Sequence, residues 1–122
     1  MDKSDIKAID DVHLLVHSFY NKVRKDILLS PIFDAVIKTE DWDFHLSKMC
    51  EFWNSILLNT RSFRGDPAGK HLPLPINAQH FSRWLFLFSE TVDELFSGET
   101  AEMAKSRAFG IGNVMQAMKG IQ

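Results

Sequence analysis

Apolar residues recur at steps of three and four along several long stretches of this sequence, and no stretch alternates at a step of two. Such spacing restricts the chain to helices, because residues three and four apart share one helical face. The first stripe runs through Ile6, Ile9, His13, Val16, Tyr20, Val23 and Ile27, with Ser4 placed to cap it. Ser30-Pro31 reads as an N-cap and a first-turn proline, opening a short helix that carries Ile32, Phe33 and Val36. Thr39 repeats the start signal, and Trp42, His45, Met49, Phe52 and Ile56 then form a stripe widened by Leu46, Trp53 and Leu57, ending near Asn59.

Periodicity fails over residues 60–75, where Gly65, Asp66-Pro67, Gly69, Pro73 and Pro75 follow one another closely. Asn77 caps a third long helix with Phe81, Trp84 or Leu85, Phe88, Val92 and Leu95 inside, stopped by Gly98. Thr100 opens the last helix, whose buried face is Ala104, Ala108, Ile111, Met115 and Met118; Gly110 and Gly112 are read there as sites of close packing. The expected class is all-α, in one domain over residues 1–122, since a chain of this length buries a single sizeable core.

The net charge of -2, spread without a basic stripe, excludes a nucleic-acid partner. The longest apolar runs, residues 55–58 and 84–88, fall far short of the ~20 residues that span a bilayer, so no membrane role is expected. One cysteine, Cys50, rules out an internal disulfide, and the start of the chain lacks a secretory pattern; a cytoplasmic location is the expectation. Ten Phe and three Trp call for either an unusually aromatic core or a core built around something flat and apolar.

The irregular segment carries the chemistry. His71 lies in Lys70-His71-Leu72-Pro73-Leu74-Pro75, where prolines keep a regular helix from continuing. A histidine on so constrained a backbone suits an axial iron ligand, which needs a neutral imidazole in fixed orientation. Taken alone, the motif is more often that of a surface loop histidine. Tyr20 and His45 are polar groups on otherwise apolar faces, and a shared pocket would satisfy both. Trp84 adds an indole N–H from a third helix. His13 and His17 have the spacing of a zinc-enzyme pair, but Leu14 stands where the catalytic glutamate belongs, so they are read as one semi-buried and one exposed histidine. His80 is read as solvated and Cys50 as packing, and without a CxxCH motif any haem is held without covalent bonds.

Together these residues resemble the truncated haemoglobins, and specifically their third group, over nearly the whole chain. Ser18-Phe19-Tyr20-Asn21-Lys22-Val23-Arg24-Lys25-Asp26 followed by Ser30-Pro31-Ile32-Phe33 is similar to the family's distal tyrosine helix and its haem-facing phenylalanine. His45-Leu46-Ser47-Lys48-Met49-Cys50-Glu51-Phe52-Trp53 resembles the distal helix, Lys70-His71-Leu72-Pro73-Leu74-Pro75 the proximal segment, and Phe81-Ser82-Arg83-Trp84-Leu85-Phe86-Leu87-Phe88 the helix of the pocket tryptophan. The resemblance implies a truncated globin, a two-over-two helical sandwich around a haem b (iron protoporphyrin IX). It implies His71 as iron ligand, with Tyr20, His45 and Trp84 as the reactive set on the opposite side. Phe33, Met49, Phe52, Trp53, Leu72 and Trp84 would wall the cofactor, and Arg61, Arg64 or Lys70 would meet a propionate.

The implied function is binding of dioxygen and other diatomic ligands (NO, CO) at ferrous iron. Each donor beside a partly negative dioxygen slows its release roughly five- to tenfold, which favours redox chemistry over oxygen transport. Nitric oxide dioxygenation and peroxide reduction are the candidate reactions, served by an external reductase, in a monomer or weak dimer. Two other readings are a gas sensor acting through a partner and a cofactor-free helical interaction module. The module predicts unchanged folding in His71→Ala, whereas the haem reading predicts lost cofactor.

Overall fold

The first helix, α1 (Ile9–Lys25), begins later than its apolar stripe, because Asp11 rather than Ser4 closes its start. The Asp11 carboxylate accepts from the backbone N–H groups of Lys7 and Ala8, satisfying donors that a helix N-terminus leaves without partners. Ile6 is buried ahead of the helix, while Ile9 and Ile27, the outer members of the expected stripe, are exposed. The buried arc is instead Val12, Leu15, Val16, Phe19, Tyr20 and Val23. That arc is wider than one stripe because α1 packs on two sides at once, as the remaining helices make clear.

This computed structural model describes residues 3–60 and 76–118, and helices are the only regular structure among them: α1, α2 (Ser30–Val36), a single 3-10 turn (Thr39–Asp41), α3 (Trp42–Leu57), α4 (Ala78–Leu95) and α5 (Glu99–Met118). The start of α2 is held by Asp26, whose carboxylate accepts from Leu28 and Leu29 N–H and whose carbonyl accepts from Ser30 N–H. Ser30 therefore sits inside the first turn rather than capping it. Helix α3 ends at Leu57, and just beyond it Asn59 has a left-handed φ of 58°, a conformation asparagine tolerates after a helix. Asn77 caps α4 as its sequence position predicts, its side chain accepting from Gln79 and His80 N–H.

Helix α1 packs against both α3 and α4, and α4 packs in turn against α5. The result is two layers of two helices, α1 with α3 and α4 with α5, which is the two-over-two truncated globin architecture. Phe19 and Phe88 are fully buried where α1 crosses α4 and their rings meet edge to face at 5.2 Å; removing each from water is worth about 2–3 kcal/mol. On α3 the fully buried seam is Trp42, Leu46, Cys50, Trp53 and Leu57, while Met49, Phe52 and Ile56 are half-buried on the neighbouring face.

The α4–α5 contact is made by alanine. Ala101, Ala104 and Ala108 are buried, whereas a Cβ built on Gly110 would meet nothing and one on Gly112 would make only ordinary contact with Leu85. Gly110 thus contributes no close packing. A tighter constraint holds at Gly98, where φ is +143° and a Cβ would fall 2.5 Å from the Asp5 carboxyl carbon. Asp5 reaches this turn to accept from Thr100 and Ala101 N–H, so the start of α5 is capped from the opposite end of the chain.

Candidate functional site

The layers leave between them a pocket enclosing about 680 Å³ of space, much of it open to solvent. Every helix contributes to its wall. Tyr20 comes from α1 and Phe33 from α2, and α3 supplies Met49, Phe52 and Trp53. His80, Phe81 and Trp84 project from α4, and Ile111 and Met115 from α5. Met49 and Phe52 of the expected α3 stripe are half-buried for this reason: they line the cavity, as does Trp53 at the edge of the buried seam.

A stack of rings stiffens the wall. Phe88 lies nearly parallel to Trp53 (4.9 Å, 21°) and to Trp84 (6.0 Å, 17°), and Phe19 abuts Trp84 edge-on at 5.8 Å. Tyr20 is held by edge contacts with Phe19 (4.9 Å), Phe33 (6.1 Å) and His45 (5.3 Å). Burial, reinforced by the nearby Cys50 thiol, drives the Tyr20 hydroxyl far above the usual phenol range. It therefore remains a neutral O–H, able to donate a hydrogen bond at any physiological pH.

Of the three residues expected opposite the iron ligand, Tyr20 and Trp84 line the cavity. His45 stands behind Tyr20, its ring at right angles to those of Tyr20 and Trp42, 5.5 Å from the latter. Phe33, Met49, Phe52 and Trp53 are all on the lining. His71, Leu72, Arg61, Arg64 and Lys70 lie outside the described residues.

Sequence reasoning missed Leu29, Ile32, Ile76, His80, Phe81, Ile111 and Met115 as wall residues. Phe81, Ile111 and Met115 were legible as core positions, but only the packing of α4 and α5 turns them toward one space. His80 is half-buried rather than solvated, and its Nδ1 accepts from Asn77 N–H at 3.0 Å. A neutral imidazole that accepts at Nδ1 carries its proton on Nε2, so His80 offers the site a donor and no lone pair for a metal.

The donor set fits a haem. The described lining is aromatic and aliphatic, contains no carboxylate or ammonium group, and has few polar groups, namely those of Tyr20, Trp53, Trp84 and His80. A flat apolar macrocycle can be enclosed there without burying an unpaired charge. Comparison with known proteins agrees. Residues 6–118 match the model of the family described as bacterial-like globin. The chain is 38% identical over 112 residues to a group 3 truncated hemoglobin of Campylobacter jejuni, covering 89% of this chain and 88% of that one. It also superposes on the crystal structure of a group III truncated hemoglobin from Campylobacter jejuni with a TM-score of 0.87 and 36% identity, covering 95% and 94% of the two chains. With helices, cavity and sequence in accord, the chain belongs to the bacterial-like globin family, whose fold encloses a haem.

Proposed function

We propose that this protein binds haem b non-covalently, with His71 as the iron ligand, and takes up dioxygen and other diatomic gases for redox chemistry rather than for transport. The haem supplies ferrous iron as the gas-binding centre. The observation that carries the reading is the placement of Tyr20, a buried, permanently neutral hydroxyl on a cavity wall that is otherwise apolar. In such surroundings one O–H stabilises a ligand atom with partial negative charge more than it would in water. Trp84 supplies a second N–H on the same lining, and His45 abuts the Tyr20 ring edge-on, limiting its rotation. Phe33, Met49, Phe52 and Trp53 would exclude water from the bound haem, and Arg64 or Lys70 would meet a propionate. The candidate reactions, nitric oxide dioxygenation or peroxide reduction, would need an external reductase. Cys50, buried and without a disulfide partner, suits the reducing cytoplasm.

The test is the rate of dioxygen release from the haem-loaded wild type and from Tyr20→Phe. Loss of one hydrogen bond of about 1 kcal/mol speeds release roughly fivefold. A release that is fast in the wild type and unaltered in the variant would overturn the retention reading.

A further inference from the structure

The sequence places His13 and His17 one helical turn apart and gives Cys50 no CxxC partner. The α1–α3 contact brings the three together: one ligand atom from each lies within 4.8 Å of the other two. His13 and His17 are exposed, with rings stacked at 6.0 Å and 22°, and neither hydrogen-bonds to another described side chain. Cys50 forms the buried floor of the cluster. None of the three lines the haem cavity.

We propose that His13, His17 and Cys50 form a second metal site, separate from the haem, for a borderline-soft divalent ion of the zinc type. Two imidazoles and a thiolate are the ligands such an ion prefers, and carboxylate-seeking ions such as magnesium and calcium are disfavoured by the same set. A tetrahedral zinc with Zn–N near 2.0–2.1 Å and Zn–S near 2.3 Å separates its ligand atoms by about 3.3–3.6 Å. The required approach is at most about 1.5 Å, and both imidazoles are on the exposed side of α1. The His13–His17 spacing lets both rings bind one ion from a single helix face, and Cys50 supplies the third ligand from α3. Water fills the fourth position from the open side. On binding, the Cys50 S–H proton passes to solvent as the sulfur–metal bond forms, with no change of oxidation state. Leu14 occupies the place of a general base, so the site holds an ion without the hydrolytic machinery of zinc enzymes. Occupancy ties α1 to α3 within one helical turn of Tyr20.

The experiment is equilibrium dialysis of the haem-loaded protein against zinc chloride, with metal analysis, for the wild type, His17→Gln and Cys50→Ser. The wild type is expected to retain one zinc per chain, and each variant to bind ~100-fold more weakly. Retention of no zinc overturns the site, as does unchanged affinity in Cys50→Ser, which places the ion on surface histidines alone. Should Cys50→Ser fail to fold, alkylation of the single thiol decides. Zinc must slow it in the wild type by about an order of magnitude and leave it unaltered in His17→Gln; a wild-type rate indifferent to saturating zinc overturns the proposal.

Discussion

Two histidines compete for the role of iron ligand in this globin, and elementary proton accounting separates them. His80 is on the cavity wall, but its Nδ1 is engaged as an acceptor by Asn77 N–H, which puts the remaining proton where a metal would need a lone pair. Its role is that of a cap for α4 on the wall of the cavity. His71, in the proline-bounded segment, is the proposed ligand. The expected outcome is that His71→Ala, purified with excess haem, loses the Soret band of a tightly bound haem. His80→Gln keeps the band and loses on the order of 1 kcal/mol of stability, as when a cap hydrogen bond is removed. Reversal of these two results would exchange the assignments. Tyr20 was legible from sequence because a polar group on an apolar stripe calls for a special environment; the same signal picked out His45, which stands beside Tyr20 rather than on the lining, and Trp84 was singled out by the family resemblance. His80 was not legible, since its burial follows from how α4 meets the cavity, which no spacing rule encodes.

Among the helices, α1 shows how far periodicity reaches. Its centre was read correctly through Val16, Tyr20 and Val23, but Leu15 and Phe19 are also buried. A stripe describes a helix with one covered side, and α1 has two. The short helix α2 depends on a contact invisible to local reading, the pairing of Asp26 with Arg83 of α4 at 2.6 Å. The Asp26 carboxylate is almost wholly buried while the Arg83 side chain is 44% exposed, so solvent screens part of the attraction. Burial alone would raise the Asp26 pKa; hydrogen bonds from Arg83, Leu29 and Leu28 outweigh it and hold the group below its ordinary 3.8. A depressed carboxylate contributes stability that is present above the unfolded-state pKa and is lost as pH falls through the lower folded value. Asp26→Asn is therefore expected to destabilise the protein by about 1–2 kcal/mol at neutral pH, with the difference from wild type shrinking below pH 3.8. Urea unfolding at pH 7 and near pH 3 checks this; an equal difference at both would show that the ionised form of Asp26 contributes nothing.

Across the molecule, the two helix pairs meet closely where α1 crosses α4 and stand apart around the cavity, where α3 and α5 touch only lightly. Part of the aromatic surplus in the composition follows from this: Phe33, Phe52, Phe81, Trp53 and Trp84 line that space, Trp53 and Trp84 also stacking on the core ring of Phe88. A cofactor that fills the space adds contacts to both layers at once and binds the folded state alone, so it stabilises by mass action as RT ln(1 + [L]/Kd). At haem concentrations near 1,000 times Kd this is about 4 kcal/mol, which for a domain of this size raises Tm by roughly 10–20 °C. Thermal unfolding followed by far-ultraviolet circular dichroism, with haem removed and then restored in steps, should show Tm climbing with the logarithm of free haem. The same titration on Phe33→Ala and on Met115→Ala, which open the wall from opposite layers, should reduce the gain in both. Were haem bound on the surface instead, a full Soret band would appear with Tm unmoved, and neither wall substitution would alter the response. Loss of the gain in Phe33→Ala alone would put the cofactor against α2 and leave α5 outside the site.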